Sequence, residues 1–264
     1  MKKITVIGGD KRLKTAVKTL SEKGFTVNTV GLYDNESGDI NGDVLLLPVP
    51  TTKDGETVFA PFSGRKIYLS EIADKADGRL ILTCNYSFKD KNCIDYGKLD
   101  SYSILNAVPT AEGAIKLAIE NTSFTLWQSR VLVIGFGRVG KVLADRLKAL
   151  GAYVTVSARK PADFALIKAL GYMALETRAV GSSLSKYDIV FNTVDFKVIE
   201  DKALENCSVK LIIDLSSAGG LDIAAARDCG IHALTAPGLP GLCAPLTAGK
   251  ILAETVSEIL NSHF

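Results

Sequence analysis

The sequence predicts an α/β protein of two doubly wound domains, the second a Rossmann dinucleotide-binding domain. Three observations carry this reading. Short β-branched runs alternate with helical patterns along most of the chain. A glycine fingerprint, Gly135-Phe136-Gly137-Arg138-Val139-Gly140, follows an apolar run and opens a helical pattern. A chain of 264 residues is long for one compact core and comfortable for two.

Taken in order, Ile4–Ile7 reads as a strand ending in Gly8-Gly9. Leu13–Lys23 reads as a helix with Leu13, Val17 and Leu20 on one face and Gly24 as its C-cap. Phe25–Val30, Val44–Pro48 and Leu80–Thr83 are further strands, with a turn at Lys53–Gly55 and a short extended piece at Lys66–Leu69. These elements predict a flavodoxin-like substrate domain over residues 1–108, without a glycine fingerprint of its own. A helix from Ala111 to Glu120 follows, with Thr110 as N-cap and Glu112 in its first turn. It links to the Rossmann domain, and the two together span residues 109–246. The strands of that domain are Val131–Ile134, Tyr153–Ser157, Ile189–Asn192, Leu211–Leu215 and Ile231–Leu234. Helices are expected to begin near Gly137, Pro161, Lys197 and Leu221. Ala236–Gly241 reads as a rigid corner, because Pro fixes φ and Gly permits close approach. An amphipathic helix over Thr247–Leu260 ends the chain, and the segment 247–264 is expected to rejoin the first domain.

Composition narrows the function classes. Hydrophobic residues make up 47% of the chain, which supports burial and argues against disorder. Lys plus Arg (31) nearly balance Asp plus Glu (29), and no basic run appears, so a nucleic-acid partner is not expected. The five cysteines (Cys84, Cys93, Cys207, Cys229 and Cys243) form no CxxC pair, and with two histidines a metal site is not expected. They read as reduced thiols packed as small hydrophobes. Neither a signal peptide nor a membrane span is legible, so a cytoplasmic protein is expected.

The fingerprint assigns roles residue by residue. Gly135 permits the tight turn, Gly137 lets backbone approach a pyrophosphate, and Gly140 lets helix pack close to strand. The helix N-terminus supplies N–H groups and a positive dipole end for the phosphates. At the end of the next strand, Ser157, Arg159 and Lys160 stand where an NAD enzyme usually carries a carboxylate. No negative charge repels a 2′-phosphate there, so NADP is the expected cofactor. Asn192, Thr193 and Val194, then Asp214 and Ser216, end the next two strands at the carboxyl edge, where open α/β sheets bind ligands. They read either as cofactor contacts or as turns that cap their strands. His232 falls within a strand and His263 at the terminus, so no residue is singled out as proton acceptor.

Several segments, in order along the chain, resemble the A subunit of dipicolinate synthase. They are Val6–Arg12, Asn106–Ile115 (with Pro109, Thr110 and Glu112), Gly135–Gly140, Asn192–Val194, Ile213–Ser217 and Ala236–Pro245. The resemblance implies a sporulating bacterium and an NADP-dependent oxidation of a dihydrodipicolinate-level ring to pyridine-2,6-dicarboxylate. It also implies a flavoprotein-like partner, the B subunit of dipicolinate synthase; whether the chain forms a homo-oligomer stays open. The chain departs from the family pattern at Asp195-Phe196, at Ala218, at Leu246 where a lysine is usual, and over residues 50–105. It is identified as a divergent member.

For such a substrate, Arg12 is the first choice to hold one carboxylate, because arginine grips carboxylate with two N–H groups. Thr51, Thr52, Thr110 and Glu112 are the next candidates. Substrate is expected between the domains, with Arg12 facing the nicotinamide. Two other readings stay open. One is a different two-domain NAD(P)-dependent oxidoreductase of the shikimate or hydroxy-acid dehydrogenase type. The other is a non-catalytic nucleotide-binding subunit that needs the B subunit for chemistry.

Overall fold

Two parallel sheets organise the computed structural model, which describes residues 2–33, 38–205, 207–216 and 219–263. The chain divides into two units, Met1–Asn106 with Ala244–Phe264, and Ala107–Cys243. Ser217 and Ala218, part of the motif after the fifth Rossmann strand, lie outside the described residues.

The first unit begins with β1 (Lys3–Ile7), α1 (Lys11–Glu22), β2 (Thr26–Val30) and β3 (Val44–Leu46). It continues through α2 (Leu69–Lys75), β4 (Leu80–Thr83) and β5 (Cys93–Asp95) into α3 (Asp100–Glu120). The strands lie in the order β2-β1-β3-β4-β5, all parallel, which is the flavodoxin-like arrangement. Strand alternation builds a core on each face: Ile4, Val6, Val44 and Leu46 point one way, Ile7, Leu45 and Leu47 the other. Asp10 caps α1 by accepting from the Arg12 amide at 2.9 Å. The helix ends at Gly24, whose φ of 92° only glycine adopts easily.

Three expectations change here. The extended piece expected at Lys66–Leu69 is only a bridge between Tyr68 and Thr57, and Leu69 already opens α2. Burial of Leu69 and Ile72, three residues apart, favours the helix. The helix expected from Ala111 begins instead at Asp100 and carries Pro109 inside it, so Thr110 is a mid-helix residue and not a cap. Tyr102 and Ala107 are buried on it, and that packing outweighs the local break a proline makes.

The second unit contains β6 (Arg130–Ile134), α4 (Arg138–Ala149), β7 (Tyr153–Ala158), α5 (Pro161–Ala169) and β8 (Met173–Glu176). After a short α6 (Val180–Ser183) come β9 (Ile189–Asn192), β10 (Leu211–Asp214), α7 (Ile223–Asp228), β11 (His232–Thr235) and α8 (Leu239–Cys243). The sheet order is β8-β7-β6-β9-β10-β11, all parallel, the doubly wound order of a Rossmann domain. The winding reverses between β6 and β9, which puts the crevice for a ligand beside the glycine turn. No α-helix forms near Lys197; the segment makes only a single 3₁₀ turn at Asp201–Ala203. The corner at Ala236–Gly241 is partly helical, because α8 starts at Leu239 and buries Leu239 and Pro240.

The chain closes with α9 (Pro245–His263), which belongs to the first unit and packs on α1. Gly249 makes that approach possible: a Cβ there would come within 2.4 Å of the Arg12 carbonyl oxygen. None of the helices among the described residues is long and apolar enough to cross a membrane.

Candidate functional site

The glycine turn between β6 and α4 shows a separate physical need at each glycine. Gly135 has φ of 99°, and a Cβ on it would sit 2.6 Å from Val194 and 2.7 Å from the Thr193 hydroxyl. At Gly140 a Cβ would be 2.2 Å from the Gly135 carbonyl oxygen, so the first turn of α4 lies directly on the loop. Gly137, the N-cap of α4, is different: a Cβ there would meet nothing within 4 Å. Glycine at 137 is therefore not demanded by the protein's own packing. Open space in front of a helix N-terminus with no side-chain cap is the cradle a pyrophosphate needs. The residues present fit a dinucleotide. Phe136 is buried in the core of the unit, while Arg138 is exposed and Val139 half-buried at the start of α4.

Residues at the ends of β9 and β10 brace this turn. The Thr193 hydroxyl donates to the Ile134 carbonyl at 2.8 Å. Asn192, buried, donates to the Val194 carbonyl at 2.9 Å and to Asp214 at 2.8 Å. The Asp214 carboxylate, fully buried, also accepts from the backbone amides of Ser216 (3.0 Å), Gly220 (2.8 Å) and Leu221 (3.1 Å). Ser216 accepts from the Gly220 amide at 2.8 Å. The polar atoms of Asn192, Asp214 and Ser216 hold loops at the ends of their strands. Thr193 and Val194 border the glycine turn itself.

Beyond the end of β7 lies a cavity of 960 Å³, lined among others by Arg159, Phe164, Lys168, Glu176, Arg178, Phe196 and Lys197. The Arg159 guanidinium stacks on the Phe196 ring at 4.8 Å from its centroid. Lys160 is exposed as the N-cap of α5. Ser157 differs from expectation. It is fully buried, and its hydroxyl accepts from the Gly135 amide at 3.3 Å, so it supports the turn and does not face the cavity. Lys168, Arg178 and Lys197 join the cavity as cations that sequence reasoning does not single out. The signal for Arg178 is the strand β8, which brings Glu176 alongside Ala158.

In the first unit, Arg12 is buried at the carboxyl edge of the sheet. Its Nε donates to both Asp10 oxygens (3.0 and 3.1 Å), and its Nη2 donates to Asp10 at 2.8 Å and to the Val49 carbonyl. Burial alone would lower the Arg12 pKa, but the hydrogen bond and charge of Asp10 outweigh it and raise the pKa instead. The two-pronged edge expected for a substrate carboxylate is thus occupied by Asp10. Nη1 makes no hydrogen bond among the described residues. Cys84, Tyr96 and Tyr102 share this environment, and burial pushes the Cys84 thiol up to about 12.

The remaining substrate candidates are otherwise engaged. Thr51 is fully buried and accepts from the Cys84 amide at 2.8 Å, locking two loops together. Thr52 bonds Asp54 and the Gly55 amide within its own turn. Glu112 pairs with Arg146 at 3.3 Å on the surface of the second unit. Thr110 lies half-buried in α3. His232 is exposed at the start of the edge strand β11.

Residues 130–218 match the family model described as NADP oxidoreductase, coenzyme F420-dependent. The apo structure of D-lactate dehydrogenase from Escherichia coli shares the fold of the whole chain (TM-score 0.64, 14% identity, 99% of this chain and 96% of that one). Fold and glycine turn together define an oxidoreductase-type protein that binds a nicotinamide dinucleotide. Residues 3–94 match the model of the N-terminal domain of the dipicolinate synthase A subunit. The chain is 33% identical to the dipicolinate synthase A subunit of Bacillus subtilis (strain 168), across 98% of its own length and 95% of that protein. The crystal structure of the A subunit from Bacillus halodurans superposes with a TM-score of 0.88 at 31% identity, covering 98% of this chain and 97% of that one. The chain belongs to the family of dipicolinate synthase A subunits.

Proposed function

We propose that this protein is an NADP-dependent dehydrogenase that oxidises a dihydrodipicolinate-level ring to dipicolinate during sporulation, in the cytoplasm, beside a flavoprotein-like B subunit. The observation that carries the reading is the chain-long relation to proteins named as the A subunit of dipicolinate synthase, together with an intact glycine turn. The choice of NADP rests on the end of β7, where Arg159 and Lys160 stand in place of a carboxylate and Arg159 lines the cavity. When bound, the nicotinamide supplies the acceptor for the hydride that leaves the ring as it becomes aromatic.

The protein's own task is then orientation. Gly137 leaves room for backbone N–H groups to approach phosphate, and Gly135, Gly140 and Thr193 hold that loop in place. Arg12 supports a substrate role because Asp10 and Val49 fix its guanidinium with Nη1 left over. A buried, immobilised cation presents one donor to a carboxylate at little entropic cost. Thr51, Thr52, Thr110 and Glu112 have no comparable support.

A second reading, a nucleotide-binding subunit that needs the B subunit for chemistry, is favoured by one observation. His232 stands at the start of β11, at the amino edge of the sheet, whereas the glycine turn lies at the carboxyl edge. The test is purified protein with NADP⁺ and freshly generated substrate, with and without the B subunit. Dinucleotide reduction and dipicolinate formation by the chain alone support the dehydrogenase. Turnover only when the B subunit is present supports the second reading, and no turnover in either case defeats both.

A further inference from the structure

Besides Arg159, the cavity beyond β7 is lined by Lys168, Arg178 and Lys197, and these cations are not equivalent. Lys197 is tied to Asp201, four residues further along the chain, at 2.7 Å. Lys168 projects from the last turn of α5, a flexible ammonium with no fixed fork. The two arginines are placed otherwise. Ala158 and Glu176 are direct register partners in the parallel pair β7–β8, so Arg159 and Arg178 leave adjacent strand ends into one cavity.

Each arginine has a distinct holder. The Arg159 guanidinium lies over the Phe196 ring, 4.8 Å from its centroid, a contact that restrains where the cation sits. Arg178 is ion-paired with Glu176, and both side chains are well exposed (85% and 51%). An exposed pair of this kind is weak and exchanges partners readily. A phosphate dianion entering between the two arginines would be a stronger acceptor for Arg178 than a single solvated carboxylate.

We propose that Arg178 is a second ligand for the 2′-phosphate of the dinucleotide, released to it by Glu176, and that Phe196 positions Arg159 as the first. The inference rests on the NADP reading and extends it, because it locates selectivity on β8 and on the loop after β9 as well as at the end of β7. Glu176 is then a competitor of the phosphate and not a partner of the ribose hydroxyls.

Isothermal titration of the full chain with NADP⁺ and NAD⁺ tests this without turnover. Arg178→Ala should weaken NADP⁺ about tenfold and change NAD⁺ less than about twofold. Glu176→Gln should tighten NADP⁺ several-fold, since the competing charge is gone. Phe196→Ala should weaken NADP⁺ more than NAD⁺, and Phe196→Tyr, which keeps the stacking face, should restore it. If wild type prefers NADP⁺ but Arg178→Ala leaves both affinities alone or lowers them equally, the proposal fails while the NADP reading stands. Weaker NAD⁺ binding in Glu176→Gln with NADP⁺ unchanged makes Glu176 a ribose ligand and likewise overturns it. A wild-type protein without preference for NADP⁺ overturns both.

Discussion

The Asn192 side-chain amide donates to the buried Asp214 carboxylate at 2.8 Å, and the two residues are direct partners in the register of β9 and β10. Asp214 therefore draws two strand ends and the following loop onto one group. Asp214→Ala would leave the amides of Ser216 and Leu221 without their acceptor, and would leave the Gly220 amide only the Ser216 hydroxyl and the Asn192 side-chain amide only the Val194 carbonyl. We expect a loss on the order of 3 kcal/mol in urea unfolding, with a smaller loss for Asp214→Asn. Dinucleotide affinity measured on the folded fraction should fall much less than stability. A variant as stable as wild type but unable to bind would make Asp214 a direct cofactor ligand.

The glycines of the β6–α4 turn should separate folding from binding. Gly140→Ala places a Cβ 2.2 Å from a backbone oxygen, and the loop must move. A loss of roughly 2–3 kcal/mol follows from that overlap. Gly137→Ala meets open space, so its stability cost should stay under about 1 kcal/mol. Its dinucleotide affinity should nevertheless drop about tenfold or more, because the methyl enters the space kept for phosphate. Thermal unfolding and titration of both variants check this. Unchanged binding in Gly137→Ala would remove the glycine turn from the site.

Residues whose roles are steric and local are legible in the amino-acid sequence. Gly135, Gly137 and Gly140 follow from a strand–turn–helix pattern within ten residues, and the apolar runs of β1, β4, β6 and β9 announce the two sheets. What stays hidden depends on contacts far apart in sequence. β8 is four residues with no fully buried side chain, so its pattern does not announce a strand, and with it go Glu176 and Arg178. The first half of α3 is obscured by Pro109, whose local preference the burial of Tyr102 and Ala107 overrides. Ser157 reads as facing a ligand, but the pleat turns it inward toward the Gly135 amide. The Asp10 grip on Arg12 spans only two residues and is still hard to foresee, because an Asp before a helix reads first as a cap, which it also is.

Arg12 and Asp10 form an ion pair whose side chains are only 6% and 20% exposed. Removing the cation strands a largely buried carboxylate, so Arg12→Ala should cost about 3 kcal/mol and is a poor probe of catalysis. Arg12→Lys keeps the charge and loses the fork. We expect it to fold, to raise the KM for the dicarboxylate about tenfold, and to leave the dinucleotide Kd within about twofold. An unaltered KM in a folded Arg12→Lys enzyme would confine Arg12 to a structural part.

The polar cluster behind Arg12 also predicts an alkaline limit on stability. Burial, and after it the charge of Asp95, raise the Cys84 thiol from its ordinary 9.0 to about 12, while Arg12 opposes the shift. Burial raises Tyr96 and Tyr102 as well. In the unfolded chain the Cys84 thiol ionises near 9.0, but in the folded protein it stays protonated to about 12. Between those values the folded state holds the extra proton, so stability is full below pH 9.0 and falls as pH rises through the window. Cys84→Ala removes this titration while keeping the tyrosines. The stability difference between wild type and Cys84→Ala, from urea midpoints, should therefore narrow by roughly 2 kcal/mol between about pH 8 and about pH 10.5. A difference that stays constant across that range would show that the thiol is not held in its neutral form by the fold.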